Sequence, residues 1–319
     1  MAFLLAWQMP LDMLQFCMEQ IVKQIVKTHN ELWGESPTIK KIEIGFTNTI
    51  FCVADKYILK ICHDINNESE FCVEVDFYTN NIGKPYIAKM FAYSKDKSKV
   101  PYMYIVTEKI DGVSLYSIWH TLTEQEREKI VNQICDILKD LHKNKGEHFD
   151  WSEYIKGYYE QHLDVLIKQK QLTESELALV RKAMSKFDLY LETDKDKFVY
   201  IHNDLHYDNC FYKDGKLTII DFESSRFAPI DKELEIVFYA AKMPDKHASR
   251  ETERFAKKEH FATLVSYFKK HYPQMFDVPH LEKRIAIYHL RDALDQYGTF
   301  KDNTELHDII IELAKFVCE

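Results

Sequence analysis

The sequence predicts an α+β protein in which a small antiparallel sheet comes first and a larger helical part follows. Three observations predict it. Short strand-like runs bounded by turns crowd the stretch from Ile39 to Lys109. After Asp111-Gly112 the pattern changes to long segments with helical spacing and capping signals. A single late hairpin, reached through His202-Asn203-Asp204 and closed by Asp221-Phe222-Glu223, interrupts the helical part. The expected division is residues 1–109 and 110–319, with a ligand cleft where the two parts join.

From Leu11 to Trp33, apolar residues at Leu14, Met18, Ile21, Val22 and Ile25 predict a helix, and Gly34-Glu35-Ser36-Pro37 ends it. Strands are expected at Ile39 to Ile44, Thr49 to Ala54 and Tyr57 to Cys62, with Asp55-Lys56 as a tight turn. A helix from Glu68 to Asn81 follows, then strands at Tyr86 to Tyr93 and Tyr102 to Lys109. Thr123-Glu124-Gln125-Glu126 is a capping box opening a helix that runs to about His142, and Thr173-Glu174-Ser175-Glu176 is a second one. In the hairpin, Lys213-Asp214-Gly215-Lys216 supplies the turn between two short apolar runs.

A chain of 319 residues, 46% hydrophobic, is large enough for two parts with cores of their own. The formal net charge of −9 argues against nucleic acid or an anionic membrane as the main partner and is compatible with a cationic small substrate. Seven cysteines, an odd number without a CxxC pair, predict free thiols in a reducing cytoplasm. The apolar start, Met1 to Trp7, is too short and lacks the basic leader of a signal peptide, and reads as part of the first helix. No stretch of about 18 apolar residues predicts a membrane span.

The hairpin carries the chemistry. An antiparallel ribbon returns to where it began, so Asn209 before its first strand and Asp221 after its second are expected side by side. An amide oxygen and a carboxylate there make a hard, oxygen-only site suited to Mg²⁺. Asp204, a few residues upstream, can face the same spot and accept a hydroxyl proton. That is the set of groups phosphoryl transfer needs. His202 and His206 read as groups that pack and hydrogen-bond to fix the loop. Lys60 is a lone cation in the apolar run Tyr57 to Ile61. It either snorkels to solvent or holds phosphate, paired with Glu74 or, one turn earlier, Glu70. Gly45-Phe46-Thr47-Asn48 joins the first two strands and can cover a phosphate with backbone N–H groups, or can be an ordinary hairpin turn. Asp231 either braces the catalytic loop or lines the substrate pocket.

These residues resemble the aminoglycoside phosphotransferase family, which also includes choline kinase-like and other small-molecule kinases. The resemblance is carried by His202-x-Asp204-x-x-x-x-Asn209, Ile219-Ile220-Asp221-Phe222-Glu223, Gly45-x-Thr47-Asn48, Lys60, Glu74 and Gly112-x-Ser114-Leu115, and spans Ile39 to Asp231. It implies a protein-kinase-like two-lobe fold with a five-stranded N-terminal sheet. It implies ATP or GTP with Mg²⁺ as the phosphate donor, with Gly45, Asn48, Lys60 and Glu74 on the nucleotide and backbone near Thr107 and Lys109 reading the base. Asp204 is then the catalytic base, and Asn209 and Asp221 hold the metal. Glu223 stands where protein kinases have Gly, and no Ala-Pro-Glu segment follows, which favours a small alcohol over a peptide. The implied acceptor is an aminoglycoside-type antibiotic, and with it a role in antibiotic resistance; choline-like alcohols and sugars are the alternatives. In that reading Glu223, Asp292 and Asp295 pair with substrate ammonium groups, whereas an ordinary polar helix face is the plain alternative for the last two. A protein kinase and a non-catalytic nucleotide-binding protein of the same fold are the rival readings.

Overall fold

The computed structural model describes residues 11–42, 48–191 and 198–319, and their side chains except at 11–17 and 247. The expected helix at Met1 to Trp7 and the turn residues Gly45 and Thr47 lie outside the described residues. The chain divides into two compact units, Met1–Asp111 and Gly112–Glu319.

The first unit contains α1 (Leu11–Thr28), α2 (Asn30–Trp33), β1 (Ile39–Ile42), β2 (Thr49–Val53), β3 (Tyr57–Cys62), α3 (Glu68–Asn80), β4 (Met90–Ser94) and β5 (Met103–Glu108). Its five strands are antiparallel in the order β1-β2-β3-β5-β4. The helix expected over Leu11 to Trp33 is broken at His29, and Gly34 ends its second piece at φ 84°, a conformation that favours glycine. Ala54 and Asp55 take φ 53° and 54°, so the β2–β3 turn begins one residue earlier than the sequence indicated. The strand expected from Tyr86 starts only at Met90, because Pro85 and the left-handed Gly83 keep the chain turning before it.

Strand periodicity positions one residue that matters below. Leu59 and Ile61 of β3 join a core with Val22, Ile25 and Val26 of α1 and with Phe51, Val53, Tyr104 and Val106 of the sheet. Lys60, between them, projects from the opposite face and meets α3.

The second unit begins with β6 (Val113–Ser114) and α4 (Leu115–Ile118), followed by α5 (Glu124–Leu141), α6 (Trp151–Gln169), α7 (Glu174–Met184) and α8 (Phe187–Leu191). Next come β7 (Phe198–Ile201), β8 (Cys210–Lys213), β9 (Lys216–Ile219) and β10 (Arg226–Pro229), then α9 (Leu234–Lys242), α10 (Leu264–His271), α11 (Leu281–Thr299) and α12 (Thr304–Cys318). Both capping boxes form: Thr123 and Thr173 each exchange side-chain and backbone hydrogen bonds with the glutamate three residues on. Helix α11 packs on α6, α9 and α12, and α10 packs on α5. Strand β7 pairs with β10, and the β8–β9 hairpin pairs through β8 with β6. Among the described residues no helix is long and apolar enough to cross a membrane.

Candidate active site

The β8–β9 hairpin forms where the sequence places it. Its register runs from Lys213↔Lys216 at the turn to Cys210↔Ile219 at the open end. Asp214 and Gly215 take φ 49° and 81°, the paired left-handed conformation of a tight hairpin turn. Beyond the last strand pair, the Ile220 N–H donates to the Asn209 carbonyl at 3.0 Å. Asn209 is therefore opposite Ile220 and one residue from Asp221.

Asp221 takes φ 65° as the chain leaves the ribbon. Only Asn and Asp among side-chain-bearing residues tolerate that region readily, through local hydrogen bonding. Asn203 is its counterpart in the preceding loop, at φ 67°. Two left-handed non-glycine residues thus flank Asp204 in space, and such backbone is kept where surrounding contacts over-determine it.

Those contacts are specific. The Asn209 amide nitrogen donates to the Asp204 carbonyl at 2.9 Å and to its carboxylate Oδ2 at 3.3 Å. This turns the amide oxygen Oδ1 of Asn209, and not its nitrogen, into the atom that can ligate a cation. His202 has no exposed surface. Its Nε2 donates to the Ile220 carbonyl at 3.1 Å and its Nδ1 accepts the Asp204 N–H at 3.3 Å. Those two bonds specify the neutral Nε2–H tautomer, and burial holds the ring's pKa below its usual 6.5 against the upward pull of Glu233.

The sign of the resulting pH effect follows directly. The neutral ring's contribution is complete above the unfolded pKa near 6.5 and is lost as pH falls through the depressed folded value. We expect the stability of this unit to drop on that acid limb and His202→Gln to flatten it. Denaturant midpoints measured across the acid range check this; parallel profiles for the two proteins would contradict it.

Glu233 holds the loop from below. It is 1% exposed, and its carboxylate accepts the His202 N–H at 2.7 Å and the Asn203 N–H at 3.2 Å. Burial would raise its pKa, but hydrogen bonding and charge from His142 and His202 outweigh that and hold it below the usual carboxylate range. Sequence reasoning assigned the brace, where it assigned one, to Asp231. The only sequence signal for Glu233 was its closeness to Asp231. Removing the carboxylate leaves one buried and one part-buried N–H group without this acceptor on the loop that aims Asp204. Glu233→Ala is expected to lower kcat by about 10²-fold with nucleotide affinity nearly unchanged. Glu233→Asp should restore part of the loss. Single-turnover kinetics beside nucleotide titration check it; an unchanged kcat would contradict the role.

Asp204 itself is recessed, with 38% of its side chain exposed. Desolvation first, and then the charges of Asp221 and Glu223, push its pKa up to about 8, while the Asn209 hydrogen bond pulls the other way. Mutual repulsion of this kind marks a place where a cation is wanted, and a bound cation reverses it. His206 lies alongside, its Nε2 3.7 Å from Asp204 Oδ2.

In the first unit, Lys60 Nζ donates to Glu74 Oε2 at 2.7 Å, with both side chains buried, while Glu70 is exposed. Asn48 and Thr107 are buried. The Lys109 N–H donates to the Lys56 carbonyl at 2.7 Å and the Glu108 N–H to Lys89 at 2.8 Å, so these two donors serve the protein.

The acidic residues read as substrate contacts fare differently. Asp231 has no exposed surface; Arg284 donates to its two oxygens at 2.6 and 2.7 Å, and the Tyr288 hydroxyl adds a bond at 3.2 Å. It is a buried structural anion, not a pocket wall. Asp292 is chelated by the neighbouring Arg291, and Asp295 is 64% exposed beside His162 at 3.4 Å. Glu223 remains close enough to Asp204 to raise its pKa.

A search of curated proteins finds no match. Solved structures do match over nearly the whole chain. Aminoglycoside phosphotransferase APH(2″)-Ib with ADP bound has a TM-score of 0.65 at 18% identity, covering 91% of this chain and 96% of its own. The gentamicin complex of APH(2″)-IIa gives 0.64 at 16%, covering 92% and 95%. A ternary complex of APH(4)-Ia with AMP-PNP and hygromycin B gives 0.60 at 15%, covering 92% and 98%. These likenesses establish the kinase-like α+β fold. The sequence profile of the APH phosphotransferase enzyme family matches residues 38–262. This chain belongs to that family, and is a phosphotransferase that acts on a hydroxyl group.

Proposed function

We propose that the enzyme moves the γ-phosphoryl group of ATP or GTP, with Mg²⁺, to a hydroxyl of a small molecule in the cytoplasm. The observation that carries this reading is the placement of Asn209 opposite Ile220, one residue from Asp221, at the open end of the hairpin, with Asp204 hydrogen-bonded to Asn209. The donor set fits Mg²⁺: an amide oxygen and a carboxylate, both hard ligands, beside an Asp204 whose pKa is raised by burial first and then by the charges of Asp221 and Glu223. Bound there, the ion would neutralise phosphate charge.

The chain's own residues do the rest. Lys60, held straight by Glu74, is the cation for the donor's phosphates. Asp204 accepts the proton of the acceptor hydroxyl as its oxygen bonds to the γ-phosphorus. The bond to the bridging oxygen breaks, and its electron pair leaves with the nucleoside diphosphate. Loose transition states of this type reward positioning over basicity, which is what the bonds from Glu233, His202 and Asn209 supply. Gly45 and Asn48, with backbone near Thr107, are the proposed remainder of the nucleotide site.

The small-alcohol reading is favoured over a protein substrate by the short path from Asp221 to the buried Asp231–Arg284 pair, which leaves no long segment to dock a peptide. The six cysteines whose side chains are described are free thiols, in keeping with a reducing compartment. The aminoglycosides bound by the related enzymes make a ring-bearing acceptor of that size the starting point. Asp221→Ala tests the metal role: nucleotide affinity in Mg²⁺ should fall by at least about tenfold, to the level seen in EDTA. An unaltered Mg·nucleotide titration would remove Asp221 from the site.

A further inference from the structure

The carboxylates assigned to substrate ammonium groups come with arginines that sequence reasoning did not weigh. Arg226 opens β10 and is paired across the sheet with Ile201, the residue before His202. Its Nε donates to the Ser224 carbonyl at 3.1 Å, and the same carbonyl takes the Asn203 side-chain amide at 3.2 Å. Arg226 is thereby tied to the loop that carries Asp204.

From Arg226 a polar chain runs along one face of α6. Its Nη1 donates to the Tyr154 hydroxyl at 2.7 Å, and that hydroxyl lies 3.1 Å from the hydroxyl of Tyr158, one turn on. The guanidinium of Arg291, on α11, sits 5.9 Å from the Tyr158 ring centre. Arg291 binds Asp292 through Nε, at 2.8 Å, and Nη2, which leaves Nη1 outside that pair. All four side chains are part-exposed. Beneath them the fully buried Lys232 is hydrogen-bonded to Glu235, and burial, then Arg291 and Arg226, lower its pKa. The chain from Arg226 through Tyr154 and Tyr158 to Arg291 therefore begins at the loop that carries Asp204.

The charges decide what this place can take. A polycationic sugar needs several carboxylates open to its ammonium groups. Here Asp231 is neutralised by Arg284, and Arg291 pairs with Asp292 and has Glu235 at 4.0 Å, while Arg226 is bonded to a backbone carbonyl and a tyrosine hydroxyl and pairs with no carboxylate among the described residues. Two ring faces beside them suit a flat or sugar-sized ring.

Resting on the phosphotransfer reading, we propose that Arg226 and Arg291, with Tyr154 and Tyr158, form the acceptor subsite, and that it selects a hydroxylated ring bearing an anionic group over a polycation. The subsite stacks the ring on the tyrosines and holds the anion by charge-assisted bonds from the arginines.

Equilibrium binding of matched probes tests this, with Mg²⁺ and a non-hydrolysable ATP analogue present: D-glucuronate, D-glucose, D-glucosamine and kanamycin at fixed ionic strength. Glucuronate should bind tighter than glucosamine by at least about tenfold, the scale of one charge-assisted contact. Arg226→Gln and Arg291→Gln should each abolish that preference, and Arg291→Lys should keep part of it. Tighter binding of glucosamine or kanamycin to the unaltered protein overturns the proposal, as does no binding of glucuronate. The analogue's own Mg²⁺-dependent binding is read in the same titration. Its loss would sink the phosphotransfer reading instead, so the two failures are distinguishable.

Discussion

Asp204→Ala is expected to lower nucleotide turnover by about 10²- to 10⁴-fold while Mg·nucleotide affinity changes only a few-fold. The asymmetry follows from what the side chain touches. It accepts a hydrogen bond from Asn209 and faces Asp221 and Glu223, but the proposed ligand atoms belong to Asn209 and Asp221. Removing a repelling carboxylate even relieves the ligands, so nucleotide binding has no reason to collapse. Rates of diphosphate release beside an affinity titration check both halves. Turnover equal to that of the unaltered protein would remove Asp204 from the chemistry, and a parallel loss of affinity would make it a ligand instead.

Arg284→Met should cost the second unit about 3–5 kcal/mol of stability, the largest structural effect we expect of a single change. Arg284 and Asp231 are both without exposed surface. The guanidinium also donates to the Tyr190 carbonyl at 2.9 Å, and Tyr288 and Trp151 extend the network. Met fills the stem's volume but leaves Asp231 charged in a dry place without its cation, with the Tyr288 hydroxyl still bonded to it. Neutralising both partners, as Asp231→Leu with Arg284→Met, should recover much of the loss, since a buried pair is often no better than apolar residues of like volume. Urea midpoints of the two variants check this. A single variant as stable as the unaltered protein would show that the pair is not dry.

Much of this was legible because it is local. The hairpin announces itself through Asp214-Gly215 and two alternating runs, and a ribbon of that length leaves no choice about which residues meet at its end. The capping boxes are equally local. Lys60 could be placed on β3 by period, and its partner narrowed to two glutamates one turn apart; only packing separates Glu74 from Glu70. Contacts across long stretches were not legible. Glu233 reaches back 31 residues to the His202 N–H, and no pattern at either end encodes that distance. Arg284 meets Asp231 across 53 residues. The pairing of Asp292 was hidden for a different reason. Adjacent residues on a helix do not ordinarily face each other, so Arg291 gave no sign that it would take up the neighbouring carboxylate.

A divalent ion gripped at the end of the β8–β9 ribbon is the central requirement of the proposed phosphotransfer. A crystal structure with Mg²⁺ and AMP-PNP measures this most directly. We expect an ion about 2.0–2.1 Å from Asn209 Oδ1 and from a carboxylate oxygen of Asp221, bridging to phosphate oxygens. Nucleotide bound with its metal held by other residues, or with Asn209 and Asp221 both beyond ligand distance, would contradict it.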